Sequence, residues 1–597
     1  NNFGSIGLTG GAISVADGTG GLTVTGVSSG ANKAVSLVST GGTLTLPGTA
    51  INTGTANLTL QSAGTLATAA ALSGANVSLT GAGGITLGHN VTASGTLGLT
   101  STNSAINQTG GALDVTGATT VNAGTGDVTL VRDGNDFQGE VTLNGGTTRI
   151  KDVNTLTLGP LTTGDLTAES TGNLDLGQGK VDGALTAASN NGAFTQGGAL
   201  LVAGVSSVNA GTGTITLASD GNDFQGAVSL TGGTTQIKDA NALTLGTLAT
   251  GELTASSSGS LNLGQGKVDG ILAVSSNNGA VTQSGALEVT GTSNVNAGAG
   301  MIALASDGND FRGAVNLTGG TTQIKDVNAL TLGTLATDDL TANSSGDLNL
   351  GRGSVRGALE AGSSGGGIAQ SGSLSAASLT ANSGGGSIAL TQRNSIGEVS
   401  LDGGGAAISY ASTGSFGLAL ANQGGRGSVD VDVGGGVLAL RNTGFAGSSL
   451  AVTSASAVTT PSAASRSFVV DSATRSIDVN LASGATNPVA RAFQGLLQVG
   501  SPRTFEYNGV LWINIAFAEQ AGGSAFVLPA VARDQAQAQR VAAGIGSVEA
   551  RLRRNELTFE EIQAPVTYED LRAMQAECSA EQAEGRIGAS CKNSASK

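Results

Sequence analysis

The sequence predicts an all-β chain, a parallel β-helix with a short α-helical C-terminal tail, and three observations carry that prediction. GNDFQG opens at Gly134 and Gly221 and GNDFRG at Gly308, which sets Phe137, Phe224 and Phe311 at intervals of 87 residues. The lysines Lys151, Lys238 and Lys325 and the glycines Gly177, Gly264 and Gly351 keep the same interval, without insertion. A fixed period of this kind marks a solenoid, in which each unit stacks on the next. Within a repeat, segments such as AVSL, TQIKD and ALTLGTL alternate apolar and polar residues between Gly, Asn and Asp turns, the period-two pattern of short strands. Finally, aromatics are only 3% of the chain and glycine supplies 98 positions, yet hydrophobic residues reach 39%. Small β-branched residues fill the narrow interior of a β-helix, and large rings do not.

Each element follows from these patterns. Coils of roughly 20 to 22 residues, with two or three strands each, place four coils in one repeat, which advances about 19 Å at the inter-strand spacing. Phe137, Phe224 and Phe311 are expected at a corner or a widened coil. Residues 1–450 read as the β-helix, with the strict repeat within about 134–394 and a degenerate continuation in which RNSIGEVSLDGG at Arg393 echoes NDFRGAVNLTGG. Residues 451–530 hold longer strands with Tyr507 and Trp512 and read as a terminal β module that caps the open end, since an unpaired edge recruits other chains. Residues 531–597 contain helix formers at helical spacing, divided by Pro565. The opening NNFGSIGLTGG resembles the repeat block, so the chain is read as starting inside a repeat.

Composition narrows the function. A net charge of −15 argues against nucleic acid, which needs clustered Lys and Arg. No run of about 18 apolar residues marks a membrane-spanning helix. Cys578 and Cys591 are the only cysteines, a usage that suits an exported protein. With one histidine, His89, and no Ser/His/Asp or Cys/His set, the chain is not expected to be an enzyme.

The DGND turns bring together Asp133 with Asp136, Asp220 with Asp223, and Asp307 with Asp310. Such oxygens suit calcium. They equally suit side-chain-to-backbone bonding in ordinary turns, which is the expected role, and no other cofactor is implied. GQGK at Lys180 and Lys267 lacks the second spaced glycine and the following Ser/Thr of a phosphate loop, and Ser354 replaces the lysine in the third repeat. A turn between coils is expected there. The TLTL segment at Thr43 has the Thr-x-Thr spacing of an ice-binding face, but the pattern is scattered.

The NDF-x-G-x-V block, the DANALTLGTL and DVNALTLGTL segments at Asp239 and Asp326, and the Gly/Thr/Asn-rich stacking resemble the two-partner-secretion exoproteins, the filamentous-haemagglutinin-like adhesins of Gram-negative bacteria. The resemblance covers about residues 1–450. It implies a right-handed β-helical rod exported through an outer-membrane β-barrel transporter to the cell surface, with a host receptor or polysaccharide bound by a region upstream. The family's secretion domain is not in this sequence, so export by this route is inferred from the resemblance alone. The terminal cysteine pair resembles that of the high-molecular-weight and related biofilm adhesins. In those a loop closed by the pair stays in the periplasm and plugs the transporter. By that resemblance Cys578 and Cys591 form an anchoring hook; a disulfide that ties down a helix and two free thiols are the alternatives. Closing a loop of this size contributes about 3 kcal/mol. Ala542, Ala543 and Gly544 resemble the site cut by the periplasmic protease that releases some of these adhesins, and an ordinary helix segment is the other reading. The function expected is a surface-anchored fibrous adhesin. A structural surface fibre or matrix component is the alternative, and a β-helical polysaccharide-active enzyme a more remote one.

Overall fold

The computed structural model describes residues 2–421, 427–443, 449–453 and 457–459, and beyond these four strands between Ser467 and Asn514. It is an all-β parallel solenoid with no helix among the described residues. The chain divides into two compact units, residues 1–320 and 321–597.

In the first unit one coil carries three short strands. Val91–Ala93, Leu97–Thr100 and Ile106–Gln108 follow in turn, and then Leu113–Val115 pairs in parallel on Val91–Ala93. These three strands define faces C, B and A. Alternate residues point inward and build ladders of like side chains. On face A the ladder begins Leu22, Leu44, Leu66, Ile85, Ile106 and Val128, all at most 1% exposed. Burying each leucine or isoleucine contributes about 2 kcal/mol before its ordering entropy is counted. The stacking pairs each strand with the coil below and the coil above, so the backbone groups of this glycine-rich chain find partners without long strands.

Coil length varies, and the interior follows it. On face B, Gly145 pairs with Thr163, Thr163 with Val181, Val181 with Val202 and Val202 with Phe224. The steps in residue number (163 − 145, 181 − 163, 202 − 181 and 224 − 202) make the first two coils equal and short, the third longer and the last the longest. A longer coil encloses a wider interior, and close packing demands a larger side chain there. Glycine, threonine, valine, valine and phenylalanine track the widening. On face A the ladder Gly232, Thr250, Val268, Val289 and Phe311 repeats the progression through the same sequence of coil lengths. Phe137 tops a third ladder, Gly74, Ala93 and Val115, on face C.

The three phenylalanines therefore lie on three different faces. One repeat spans thirteen strands, four coils and one strand more, rather than the four whole coils that the interval suggests. Contraction of two of its coils makes room for the extra strand. All three rings are 1% exposed and end their ladders, pointing into the core from two-residue strands.

The second unit continues the pattern with coils such as Thr322↔Leu340 and Leu340↔Leu359. Ser449–Thr453 pairs in parallel with Ser428–Asp432 and antiparallel with Ser476–Asn480, and Ala457–Thr459 is the last described strand that pairs in parallel, on Val437–Ala439. Ser476–Asn480 also pairs antiparallel with Ser467–Asp471, and Arg503–Tyr507 with Val510–Asn514. The expected helical tail, 531–597, lies outside the described residues.

Candidate functional site: the repeated corner and the serine groove

The recurrent NDF block builds a corner, and its asparagine is the centre. Asn135 is fully buried. Its Oδ1 accepts hydrogen bonds from Gln108 Nε2 at 2.7 Å and from the Leu113 amide at 3.0 Å. Its Nδ2 donates to Gln108 Oε1 at 2.9 Å and to the Leu130 carbonyl at 3.2 Å. Asn222 makes the same four bonds with Gln196, Leu200 and Leu217. Asn309 makes them with Gln283, Leu287 and Leu304. In the degenerate continuation Asn394 keeps the arrangement with Gln370, Leu374 and Leu390. The glutamines were not among the sequence candidates. Their signal was present all the same: Gln108, Gln196, Gln283 and Gln370 recur once per repeat, each just before a Gly-Ala/Ser-Leu segment.

The phenylalanine beside each asparagine is fixed by a carboxylate. Asp152 is fully buried; its Oδ2 accepts from the Phe137 amide and its Oδ1 from the Asn154 amide, at 2.7 and 2.6 Å. Asp239 does the same for Phe224 and Asn241, both at 2.7 Å. Burial pushes both carboxyls above the usual carboxylate range, against the pull of the two amide donors. At the start of the chain, Asp17 Oδ1 accepts from the Phe3 amide at 3.1 Å, one half of that arrangement, and its buried Oδ2 has no hydrogen-bond partner among the described residues.

The six aspartates considered for calcium have protein partners of other kinds. Lys151 Nζ lies 2.6 Å from Asp133, and the ammonium holds that carboxyl below its usual range. Lys238 pairs with Asp220. Asp136 accepts from Gln138, Asp223 from Gln225, and Asp310 from Arg312. Asp307 also has a partner. Among the described residues no three His, Cys, Asp or Glu side chains converge as a metal site. The GQGK stretches are turns only at their first residue: Gly177 and Gly264 have φ of 65°, with the amide of each held by Asp175 and Asn262, and Lys180 and Lys267, the expected turn residues, lie instead in the strands Gln178–Val181 and Gln265–Val268. His89 Nδ1 lies 3.0 Å from the Thr68 carbonyl. Cys578, Cys591 and the segment Ala542, Ala543, Gly544 lie outside the described residues.

A second feature belongs to the second unit. An open groove of about 470 Å³ runs across three coils, lined by Ser354 and Arg356, Ser375 and Ala377, Ser395 and Gly397, and closed by Ser412–Ser415. Ser354 pairs with Ser375 and Ser375 with Ser395, so three exposed hydroxyls stand in one ladder.

Four segments, residues 74–144, 163–231, 250–318 and 337–403, match a family described as repeats of unknown function (DUF5649). Each matched segment contains one complete Asn–Gln pair, so the buried amide pair is common to all four. No curated protein and no solved structure matches the chain.

Proposed function

We propose that the chain is the spacer and anchor part of a fibrous bacterial surface adhesin. In this reading the β-helix holds a binding region away from the cell. The tail stays in the periplasm, held in an outer-membrane transporter by a Cys578–Cys591 loop. The Ala542-Ala543-Gly544 segment is a release site for a periplasmic protease.

The observation that carries the spacer reading is the rotation of the repeat. The same corner is presented on face C at Phe137, face B at Phe224 and face A at Phe311. Its polar groups are spent on the fold itself: the buried amides on each other, the buried carboxylates on backbone amides, and the surface carboxylates on side chains. A unit built this way supports its neighbours without distinguishing one side of the stack. A matrix or surface-fibre component would use the same construction, and the two readings separate at the tail.

The experiment is a Cys578→Ser, Cys591→Ser double variant expressed in the native cell, with the protein quantified in cell-bound and medium fractions. Release of most of the protein into the medium supports the anchored adhesin. Full retention on the cell overturns the anchor and leaves the fibre reading.

A further inference from the structure

Each corner does more than turn the chain: it ties successive coils through buried side chains. Asn222 stands one coil above Gln196 and Leu200, and three of its four hydrogen bonds reach down to them. Asp239, one coil higher again, holds the Phe224 amide from above. Asn222 and Asp239 are both fully buried. Asn135 and Asp152 build the same three-coil tie on Gln108 and Leu113. Asn394 is bonded down to Gln370 and Leu374, and its Nδ2 also donates up to the Ala411 carbonyl at 3.2 Å. In this fourth copy Ser395 and Ile396 replace the aspartate and the phenylalanine, yet the amide pair is kept. Links of the kind found between corners are exposed: Asp165 accepts from the Ala184 amide at 2.7 Å, and Asn173 from the Ala193 amide at 2.9 Å.

The two kinds of link respond differently to load. A solenoid drawn out by its ends peels, since short strands such as Leu185–Ser189 and Phe194–Thr195 leave the stack a few bonds at a time. Water takes up each exposed group as it is freed. A corner does not peel. Asn222 leaves only when its bonds to Gln196 and Leu200 break together, in a site where water does not replace them beforehand. We propose that the corners are mechanical stops, which make the solenoid lengthen under load one repeat at a time. Successive glutamines lie 88, 87 and 87 residues apart (196 − 108, 283 − 196 and 370 − 283). Successive asparagines lie 87, 87 and 85 apart (222 − 135, 309 − 222 and 394 − 309). The step is therefore one repeat from whichever end the chain is drawn, about 300 Å of extended backbone. The stack behind each stop keeps its own corner and offers the edge on which the released repeat re-forms. The device belongs to the stack and does not rest on the adhesin reading.

The test is extension of the full chain in an optical trap, held by its two ends. Three separate length gains of about 300 Å each are expected. Gains of single coils, about 70 Å each and without arrest, overturn the proposal, as does one event that releases the whole solenoid. Asn222→Ala removes one stop and is expected to merge two neighbouring gains into one of about 600 Å. Gln196→Ala, at a half-buried position, carries the same expectation. Asn173→Ala removes an exposed link and is expected to leave all three gains in place. Three separate gains in both corner variants, or a lost arrest in Asn173→Ala, overturn the assignment of the stops to the amide pairs. The wild-type trace decides the step length by itself if a corner variant fails to fold. None of these outcomes bears on the cysteine anchor, which is tested by retention on the cell.

Discussion

Asn135 and Gln108, 27 residues apart in the chain, hold each other through two amide hydrogen bonds of 2.7 and 2.9 Å inside the corner of the coil. The pair also ties down the Leu113 amide and the Leu130 carbonyl, so it joins successive coils through groups that water cannot reach. The arrangement is complete, with each amide oxygen and nitrogen bonded, and the removal of one member strands the others.

Asn222→Ala is therefore expected to destabilise the first unit by about 3 kcal/mol, since it takes the partner from Gln196 Oε1 and from the buried Leu200 and Leu217 backbone groups, while Gln196 Nε2 keeps only its bond to the Gly198 carbonyl. Urea unfolding of the variant measures it. A loss within error of zero would mean that the corner relaxes and admits water.

Phe224→Ala is expected to cost about 3–5 kcal/mol, because the ring is buried at the end of the longest step of its ladder and its removal leaves a cavity in the core. Val181→Ala, in the same ladder, removes less and is expected to cost about 1–3 kcal/mol. Equal losses at the two positions would contradict the link between side-chain size and coil length.

At Gly264 the backbone has a φ of 65°, and an added Cβ would lie 2.0 Å from the Gly246 carbonyl oxygen of the coil below. Gly264→Ala is expected to unfold the coil locally or lower the thermal midpoint by several degrees, through the left-handed penalty plus the backbone clash. Gly397→Ala meets only the Ala377 carbonyl oxygen, at 3.4 Å, and is expected to be nearly neutral. Circular dichroism melts of the two variants decide it.

The buried carboxyls make a prediction about pH. Burial, the largest cause, raises Asp152 and Asp239 above the unfolded value of 3.8. The folded chain thus binds these protons more tightly than the unfolded chain. Their contribution to stability is fully present below the unfolded value and is lost as pH rises through the raised folded values. Asp133, lowered by Lys151, works in the opposite sense from the surface. The Asp152→Asn, Asp239→Asn double variant is expected to lack the loss, so its melting midpoint relative to wild type should rise as the pH is raised from the unfolded value of 3.8 through the range in which the two carboxyls ionise. A constant offset across that range would show that the two carboxyls do not titrate there.

Much of this construction is legible without coordinates. Alternation around Leu230, Ile237 and Leu245 marks inward positions, because a strand side chain has only two directions to point. Gly177 and Gly264 read as turns, and their left-handed backbone follows from the absent Cβ. Gln108 and Asn135 do not read as a pair. Each is an ordinary polar residue beside a turn, and only the stacking of one coil on the next brings them to 2.7 Å. The groove is equally silent: Ser354 stands out as the residue that replaces a lysine, but its alignment with Ser375 and Ser395 depends on pairing across coils.

The sequence by itself determined the solenoid, the 87-residue period and the small-residue interior, because these follow from local alternation, turn chemistry and strict recurrence. The tertiary structure alone decided which face each copy occupies. The short Gly- and Asn-containing segments between apolar runs can turn a corner or continue a strand, and composition does not distinguish the two. The choice is made by packing across coils, where Gly145 and Thr163 admit a contracted coil and Phe224 demands a wide one. Two contracted coils leave room for a thirteenth strand, and thirteen strands on three faces carry each copy one face onward.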